Sequence, residues 1–260
     1  LMLVPGVGSV TVTRLVEAVQ HAGLELETVL RHRPAAFMDR IPPGAQEVVW
    51  AAAACDSALQ ERARALVAAA RVLGATPLVR WAAAYPAGLA ALGAEAPPLI
   101  FVLGDPAVLT GPAGGVVGTR RPSGVGLRLA RRCARTLVRA GAGVVSGGAT
   151  GVDTAAHRAA LEAGGRTVVV LPQGVLSYRL PEGYRRALGQ GRLAVLSAFA
   201  PDAPWRTHAA VTRNTYISAL TRAVCVIEPR RVGGSIRTAR AALAQHKPVL
   251  YHEAHTPSPA

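Results

Sequence analysis

Gly115 to Gly126 reads GVVGTRRPSGVG. Two β-branched residues, Val116 and Val117, run into Gly118, and a threonine, two arginines, a proline, a serine and two more glycines follow. A short valine-rich run that ends in glycine and opens a helical stretch reads as a strand-to-helix turn in an α/β sheet. Glycine lets an anion approach the backbone, and the helix start beyond it presents unpaired N–H groups. The stretch therefore predicts a fold and an anion, and leaves open whether that anion is a nucleotide or a polymer backbone.

The same punctuation repeats through the second part of the chain. Apolar runs lie at 98–104 (PLIFVLG), 115–118, 143–148 (GVVSGG), 167–172 (TVVVLP), 193–197 (LAVLS), 223–228 (AVCVIE) and 248–253 (PVLYHE). Helical stretches separate most of them, at 124–140, 152–163, 182–190, 212–221 and 234–245. Continuous Val/Leu/Ile strands alternating with helices predict an α/β domain, an extended Rossmann-like, mostly parallel sheet with helices on both faces. That domain is expected over residues 99–253, with 254–260 as a disordered tail. Residues 1–75 read as a small helical domain, with Asp56 as a possible N-cap and Gly74 as a helix stop. Residues 76–98, with Pro77, Pro86, Pro97 and Pro98, read as a linker. At the front, LVPGVGSVT (Leu3–Thr11) fits the hairpin of helix-hairpin-helix modules. The chain opens on Leu1, so the helix preceding that hairpin is expected upstream.

Charge divides at the same boundary. Residues 1–98 hold eight Lys/Arg and eight Asp/Glu, whereas residues 99–260 hold 21 and 7, so the whole net charge of +14 belongs to the second part. A domain this basic predicts a polyanionic partner, most simply nucleic acid. The neutral front part favours a structural hairpin at 3–11 over a duplex-gripping one. Cys55, Cys133 and Cys225 are odd in number and far apart, which argues against a disulfide framework or a zinc site. No run of about 18 apolar residues and no secretory leader is present, so a cytoplasmic protein without membrane association is expected.

Five strand ends carry loops suited to anions. They hold Gly118, Thr119, Arg120 and Arg121; then Ser146, Gly147 and Gly148; then Arg179; then Arg206, with Arg213 and Asn214 further on; and last Gly234 and Ser235. Guanidinium groups beside such loops make bidentate hydrogen bonds to phosphate oxygens. Neither G-x-G-x-x-G at the dinucleotide offset nor a Walker-type loop is present, so no cofactor is expected. Asp153 and His157, four apart on one helix, fit an acid/base pair, but the simpler reading is that Asp153 caps the first turn and His157 bonds across to a neighbouring loop. No nucleophile with a base and no carboxylate cluster for a metal stands out, and no enzymatic activity is expected.

Together these loops resemble the DNA-processing protein A (DprA/Smf) family. VVGTRRPSGVG is similar to that family's V-G-[ST]-R-x-x-[ST]-x-x-G. The stretch VVSGGATGVDTAAHRAALEAGGRTVVVLPQGV is similar to its S-G-x-A-x-G-[IV]-D-x-x-A-H block, and TRNTYISALTRAVCVIEPRRVGGSIRTA to its R-N-R, V-x-V-x-E and S-G-[ST]-x-x-T-A blocks. The resemblance spans about residues 99–250. It departs at Thr215, where the third residue of R-N-R is no longer a cation, at 200–208, and after PVLYHE, where the closing loop reads AHTPSPA.

The resemblance implies a single-stranded-DNA-binding protein that protects incoming DNA and loads the RecA recombinase onto it in natural transformation. It also implies a homodimer formed through the Rossmann domain, often followed by a winged helix. Carried over residue by residue, it places the pocket arginine at Arg120, the phosphate loop at Gly118 and Thr119, the second loop at Ser146–Gly148 and the R-N pair at Arg213 and Asn214. Trp205, Tyr178 and Phe199 are candidates for stacking on bases. The alternative is a nucleotide-hydrolysing enzyme of the lysine-decarboxylase-like Rossmann group, in which a glutamate would stand where RVGGSIRTAR has Arg240. A duplex binder acting through the Leu3–Thr11 hairpin is a third reading.

Overall fold

The computed structural model describes residues 3, 7–39, 41–53, 57–231 and 233–253. The tip of the expected hairpin at 4–6, the Asp56 cap, Cys55 and the expected tail at 254–260 lie outside the described residues. The chain runs α1 (Ser9–His21), α2 (Leu26–His32), α3 (Ala35–Met38), α4 (Pro43–Ala53), α5 (Ser57–Val72), β1 (Ala75–Val79), α6 (Ala87–Ala90) and β2 (Leu99–Leu103). It continues as β3 (Ala113–Gly118), α7 (Gly124–Arg139), β4 (Gly143–Ser146), α8 (Val152–Glu162), β5 (Thr167–Leu171) and α9 (Glu182–Gly189). It closes with β6 (Leu193–Ser197), α10 (Thr207–Ala219), β7 (Ala223–Ile227), α11 (Gly234–Ala244) and β8 (Val249–His252).

The eight strands form one sheet in the order β1-β2-β6-β5-β4-β3-β7-β8. From β6 to β8 every pairing is parallel. The strands alternate sides with the period of two that a pleated sheet imposes. Val117, Val145, Val168, Val170, Leu196, Val224 and Val226 face one core with Leu89 of α6, Tyr216 and Ile217 of α10, and Ala239 and Ala242 of α11. Phe101, Val169, Leu171 and Val195 face the other side with α5 and α9, as do Val116, Val144 and Ile227 with α7 and α8. Small residues on the helices, such as Ala130, Ala134, Ala156 and Ala160, let α7 and α8 sit close on this β-branched surface.

The run at 98–104 joins this sheet differently from its companions. β2 pairs antiparallel with β6, and β1 pairs antiparallel with β2. The reason lies in the connection to β3. Residues 104–112 hold only a 3₁₀ turn (Pro106–Leu109), too short for the crossover that a parallel arrangement needs. Residues 76–98, expected as a linker, supply the edge strand β1, in which Thr76, Leu78 and Val79 favour extended structure and Pro77 is tolerated at a sheet margin. α10 begins at Thr207, five residues before the expected start. The lysine of the chain, Lys247, donates from Nζ to the carbonyls of Ser218 (2.7 Å) and Ala219 (2.9 Å), closing the carboxyl end of α10.

The helices α1–α4 bury a core of their own around Leu15, Val19, Val29, Phe37 and Val49. Polar contacts join them and α5 to the rest of the chain. The buried Thr13 hydroxyl donates to Ala96 O (3.1 Å), Arg80 meets Glu17 at 2.6 Å, and Arg62 of α5 meets Asp202 beyond β6 at 2.9 Å.

Leu196 is fully buried at the centre of β6. Leu196→Ala is expected to cost about 2–5 kcal/mol, lost transfer energy plus the cavity left behind. Urea unfolding checks this, the midpoint falling with an unchanged slope.

Candidate nucleic-acid interface

The chain order β3, β4, β5, β6 steps across the sheet in one direction, and β7 then returns to pair on the opposite side of β3. The connecting helices change face at that point, α7 lying on one side and α11 on the other. A crevice opens above the carboxyl ends of β3 and β7, where ligands collect in doubly wound sheets. It is a cavity of about 620 Å³ whose lining includes Gly118, Thr119, Arg120, Arg121, Arg213 and Asn214, with Arg230, Gly234 and Ser235 opposite. Asp153 is the one acid among those lining residues.

The floor is set by close backbone approaches. A Cβ at Gly118 would lie 2.2 Å from Ile227 O, and one at Gly151 would lie 2.5 Å from Thr119 O, so both loops press onto their neighbours where no side chain fits. Thr119 N donates to Ile227 O (3.2 Å), and Val152 N donates to Thr119 O (3.2 Å). Thr119 Oγ1 accepts from Arg121 N (3.2 Å), turning the loop so that Arg120 and Arg121 stand exposed at its tip.

Arg213 is buried to 9 % exposure and reaches from α10 beneath the second loop. Its Nη1 donates to Gly147 O (2.6 Å) and Val170 O (2.7 Å). A Cβ at position 147 would stand 2.0 Å from that nitrogen, which is why glycine is required there. Arg213 Nε is buried without a partner. Burial lowers the pKa of this guanidinium, nearby Asp153 opposes the shift, and Arg120 adds to it. The Asp153 carboxyl is pushed up by burial, against the pull of Arg213 and of the Ala149 and Gly147 N–H groups.

The helix starts differ in what they leave open. At α7, Ser123 caps through its hydroxyl, which accepts from Gly126 N (3.1 Å) and donates to Glu228; Glu228 Oε2 also accepts from Ser123 N (2.8 Å). Burial opposes ionisation of Glu228, yet the bonds from Ser123 hold its carboxyl below the ordinary value. The protein's own carboxylate thus occupies the anion site expected at the start of α7. The loop before α8 is filled likewise, since Asp153 accepts from Gly147 N (3.2 Å) and Ala149 N (3.3 Å). At α11 the N-cap is Gly233, with no side-chain cap, and Gly233, Gly234 and Ser235 line the crevice at this helix start.

The structure therefore brings eight of the candidate residues together: Gly118, Thr119, Arg120, Arg121, Arg213, Asn214, Gly234 and Ser235. Ser146 is buried with its hydroxyl donating to Val116 O (2.6 Å), and both backbone polar groups of Gly147 are engaged, so these two shape the floor. Gly148 is exposed at φ +73°. Arg179 and Arg206 are exposed beyond β5 and β6, at the same edge but on strands farther along the sheet. Trp205 stands beside them, 50 % exposed, whereas Tyr178 and Phe199 are partly covered. Arg230, one of the arginines beside the loop after β7, lines the crevice as well. The helix-capping role of Glu228 was not singled out from sequence, and an acid directly after β7, the strand beside β3, was the available sign.

Asp153 and His157 do not form a pair. Asp153 holds the loop before its helix instead of capping the first turn, and His157 bonds to the start of β5, not to a loop. His157 Nδ1 lies 2.7 Å from Thr167 Oγ1, which itself donates to Val144 O, so the proton sits on Nδ1. Its Nε2 is buried without a partner, and Tyr184 meets the ring edge-on at 6.2 Å. Among the described residues no group of three or more His, Cys, Asp or Glu is placed to hold a metal ion, and no helix is long and apolar enough to cross a membrane.

A sequence model of the DNA recombination-mediator protein A family matches residues 76–260. The chain belongs to that family. Protein Smf of Escherichia coli K12 is 36% identical over 169 residues, covering 64% of this chain and 45% of that protein. DNA processing protein DprA of Streptococcus pneumoniae R6 is 35% identical over 160 residues, covering 60% of this chain and 55% of the relative. The chain thus spans about half the length of the curated relatives it matches. Among solved structures, DNA processing protein A from Streptococcus pneumoniae superposes with a TM-score of 0.75 at 25% identity, covering 97% of this chain and 84% of that one. A structure that describes the single-stranded DNA binding mode of DNA processing protein A from Helicobacter pylori gives a TM-score of 0.60 at 26% identity, covering 70% of this chain and 82% of that one. Family membership accords with the α/β fold and the mostly parallel sheet.

Burial lowers the His157 pKa from 6.5 to about 3. The folded state therefore holds this ring neutral while the unfolded chain takes up its proton, so stability falls by about 1.4 kcal/mol per unit as pH drops from 6.5 toward 3. Urea unfolding of the native chain and of His157→Asn at pH 7 and pH 4 is expected to show the native chain losing about 3 kcal/mol more than the variant.

Proposed function

We propose that this chain binds single-stranded DNA along the carboxyl edge of its sheet. In the cytoplasm it protects incoming strands and passes them to the RecA recombinase during transformation and recombination. The observation that carries this reading is the buried, unpaired Nε of Arg213 in an arginine-rich crevice beside the open start of α11. A buried donor on a cation calls for an anionic acceptor, and phosphate supplies one. Arg120, Arg121 and Arg230 neutralise the adjacent phosphates, while Gly118, Thr119, Asn214, Gly234 and Ser235 give the backbone close access. Ser146 and Gly147 position Arg213 from beneath, and Gly148 forms the exposed rim. From there the strand runs toward Arg179 and Arg206, about 14 Å along the edge at the usual strand spacing, where Trp205 offers a stacking surface. The Helicobacter pylori relative, whose structure describes a single-stranded DNA binding mode, supports the choice of polymer.

Binding without catalysis is part of the proposal. Asp153, the one acid lining the crevice among the described residues, is engaged by the Gly147 and Ala149 N–H groups, which argues against the nucleotide-hydrolase alternative. We further propose a small helical domain over 1–75 ahead of the sheet domain. Homodimerisation is proposed through the outer edge of β8, where Leu250 and Tyr251 are exposed by 58% and 51% beside Leu243 of α11. An apolar unpaired edge strand is a template for a second copy.

Fluorescence anisotropy with a single strand, a duplex and a nucleoside monophosphate at two salt concentrations tests the binding reading. Single strand is expected to bind best, with log K falling by about 0.7 per phosphate contact against log salt. Arg120→Ala is expected to weaken binding about tenfold with an unchanged fold, as loss of one charged hydrogen-bond donor predicts. Affinity indifferent to salt, or preference for duplex or mononucleotide, would overturn the reading. Sedimentation of Leu250→Glu/Tyr251→Glu tests the dimer; the variant is expected to run as a monomer at concentrations where the native chain is dimeric.

A further inference from the structure

A second basic cavity, of about 460 Å³, lies between α7 and α8 on the face of the sheet away from α10 and α11. Arg131 and Arg135, one turn apart on α7, line one wall, Arg158 of α8 lines the other, and Thr150 and Thr154 lie between them. All three arginines are exposed. The single acid among the lining residues is Glu162, whose carboxylate meets Arg135 at 3.5 Å across an exposed pair that contributes little. Arg128, Arg132 and Arg139 extend the positive surface along the rest of α7, a helix about 24 Å long at 1.5 Å per residue. Among the described residues, Arg135 is the one of these six arginines that makes an ion pair. Like-charged side chains one turn apart are mildly destabilising, so the arrangement costs stability unless an anion sits across it.

The groove adjoins the crevice above β3. Gly151 lines it, and the same glycine presses against the Thr119 and Arg120 backbone whose side chains line the crevice. Thr150 and Gly151 form the end of the groove nearest the crevice. We propose that the α7–α8 groove is a second station for the single strand, holding its phosphates through Arg131, Arg135 and Arg158 beyond the segment held in the crevice. The proposal rests on the binding reading above. The channel has guanidinium groups on both walls and threonines between them; among the described residues it has no aromatic lining residue and Leu127 as its one large aliphatic one. It suits a flexible phosphate backbone better than a protein partner, which needs buried aromatic anchors.

Oligonucleotide length separates the two stations. Anisotropy is measured with oligothymidylates of about six nucleotides, enough for the crevice, and of about 25, enough to continue into the groove. For Arg131→Gln/Arg135→Gln/Arg158→Gln, affinity for the short strand is expected to stay within about twofold. Affinity for the long strand is expected to fall at least tenfold, and its salt slope to drop by about 2, from three lost phosphate contacts. The matching lysine variant is expected to restore most of the long-strand affinity, since a point charge suffices for phosphate. Circular dichroism confirms that both variants fold. Unchanged long-strand affinity in the glutamine variant overturns the proposal and leaves the groove to an acidic protein partner. Equal losses on both lengths overturn it too, because the groove would then not be separate. If the native chain fails to bind the short strand, the crevice reading falls, and the groove is still judged by what the substitutions do to the long one.

Discussion

A guanidinium held under a loop organises the binding edge. Arg213 comes from α10 on one face of the sheet and takes the carbonyl oxygens of Gly147 and Val170, at the ends of β4 and β5, on a single nitrogen. Taking a cation out of water is costly, and two carbonyls with an opposite charge nearby offset only part of that cost. The rest of the local architecture follows from accommodating it. Gly147 has no side chain because the guanidinium fills that space, the buried Asp153 carboxyl is pushed up by desolvation against the pull of Arg213, and Nε is buried without a partner. A buried charge kept incompletely paired costs stability, and an anionic acceptor is what would offset that cost.

The same economy explains which helix ends are open. Three loops meet at the crevice, and two are already occupied by the protein's own carboxylates, Glu228 at α7 and Asp153 before α8. Those acids fix the loops in place, so Arg120 and Arg121 are presented from a rigid support, while the uncapped start of α11 remains for an external anion. The β3–β7 junction is where this sorting happens, because there the connecting helices change face.

Much of this was legible in the sequence. The valine-rich runs placed the strands of the parallel sheet to within about two residues, since period-two burial on both faces leaves only β-branched and aliphatic residues to choose from. The arginine-bearing loops after β3 and β7 were legible as breaks in an otherwise apolar pattern, whereas the R-N pair on α10 was legible through the family resemblance. The orientation of β2 was not, because the sense of a strand is decided by the length of its connections and not by its own residues. The edge strand β1 was obscured by Pro77, which composition reads as a break and a sheet margin accepts. Nor did the sequence separate Gly147 from Gly148, neighbours in a glycine pair, one shaped by a side chain arriving from 66 positions away and the other by its positive φ.

Lys247, the only lysine among the 29 basic residues, is committed to the carboxyl end of α10. Every basic side chain that faces the crevice or the α7–α8 groove is therefore a guanidinium, which stays charged across the physiological pH range and offers no amine. Acetylation, which cancels charge at lysine, has nothing to act on along this surface. The positive field is permanent, and only salt or a competing polyanion can screen it.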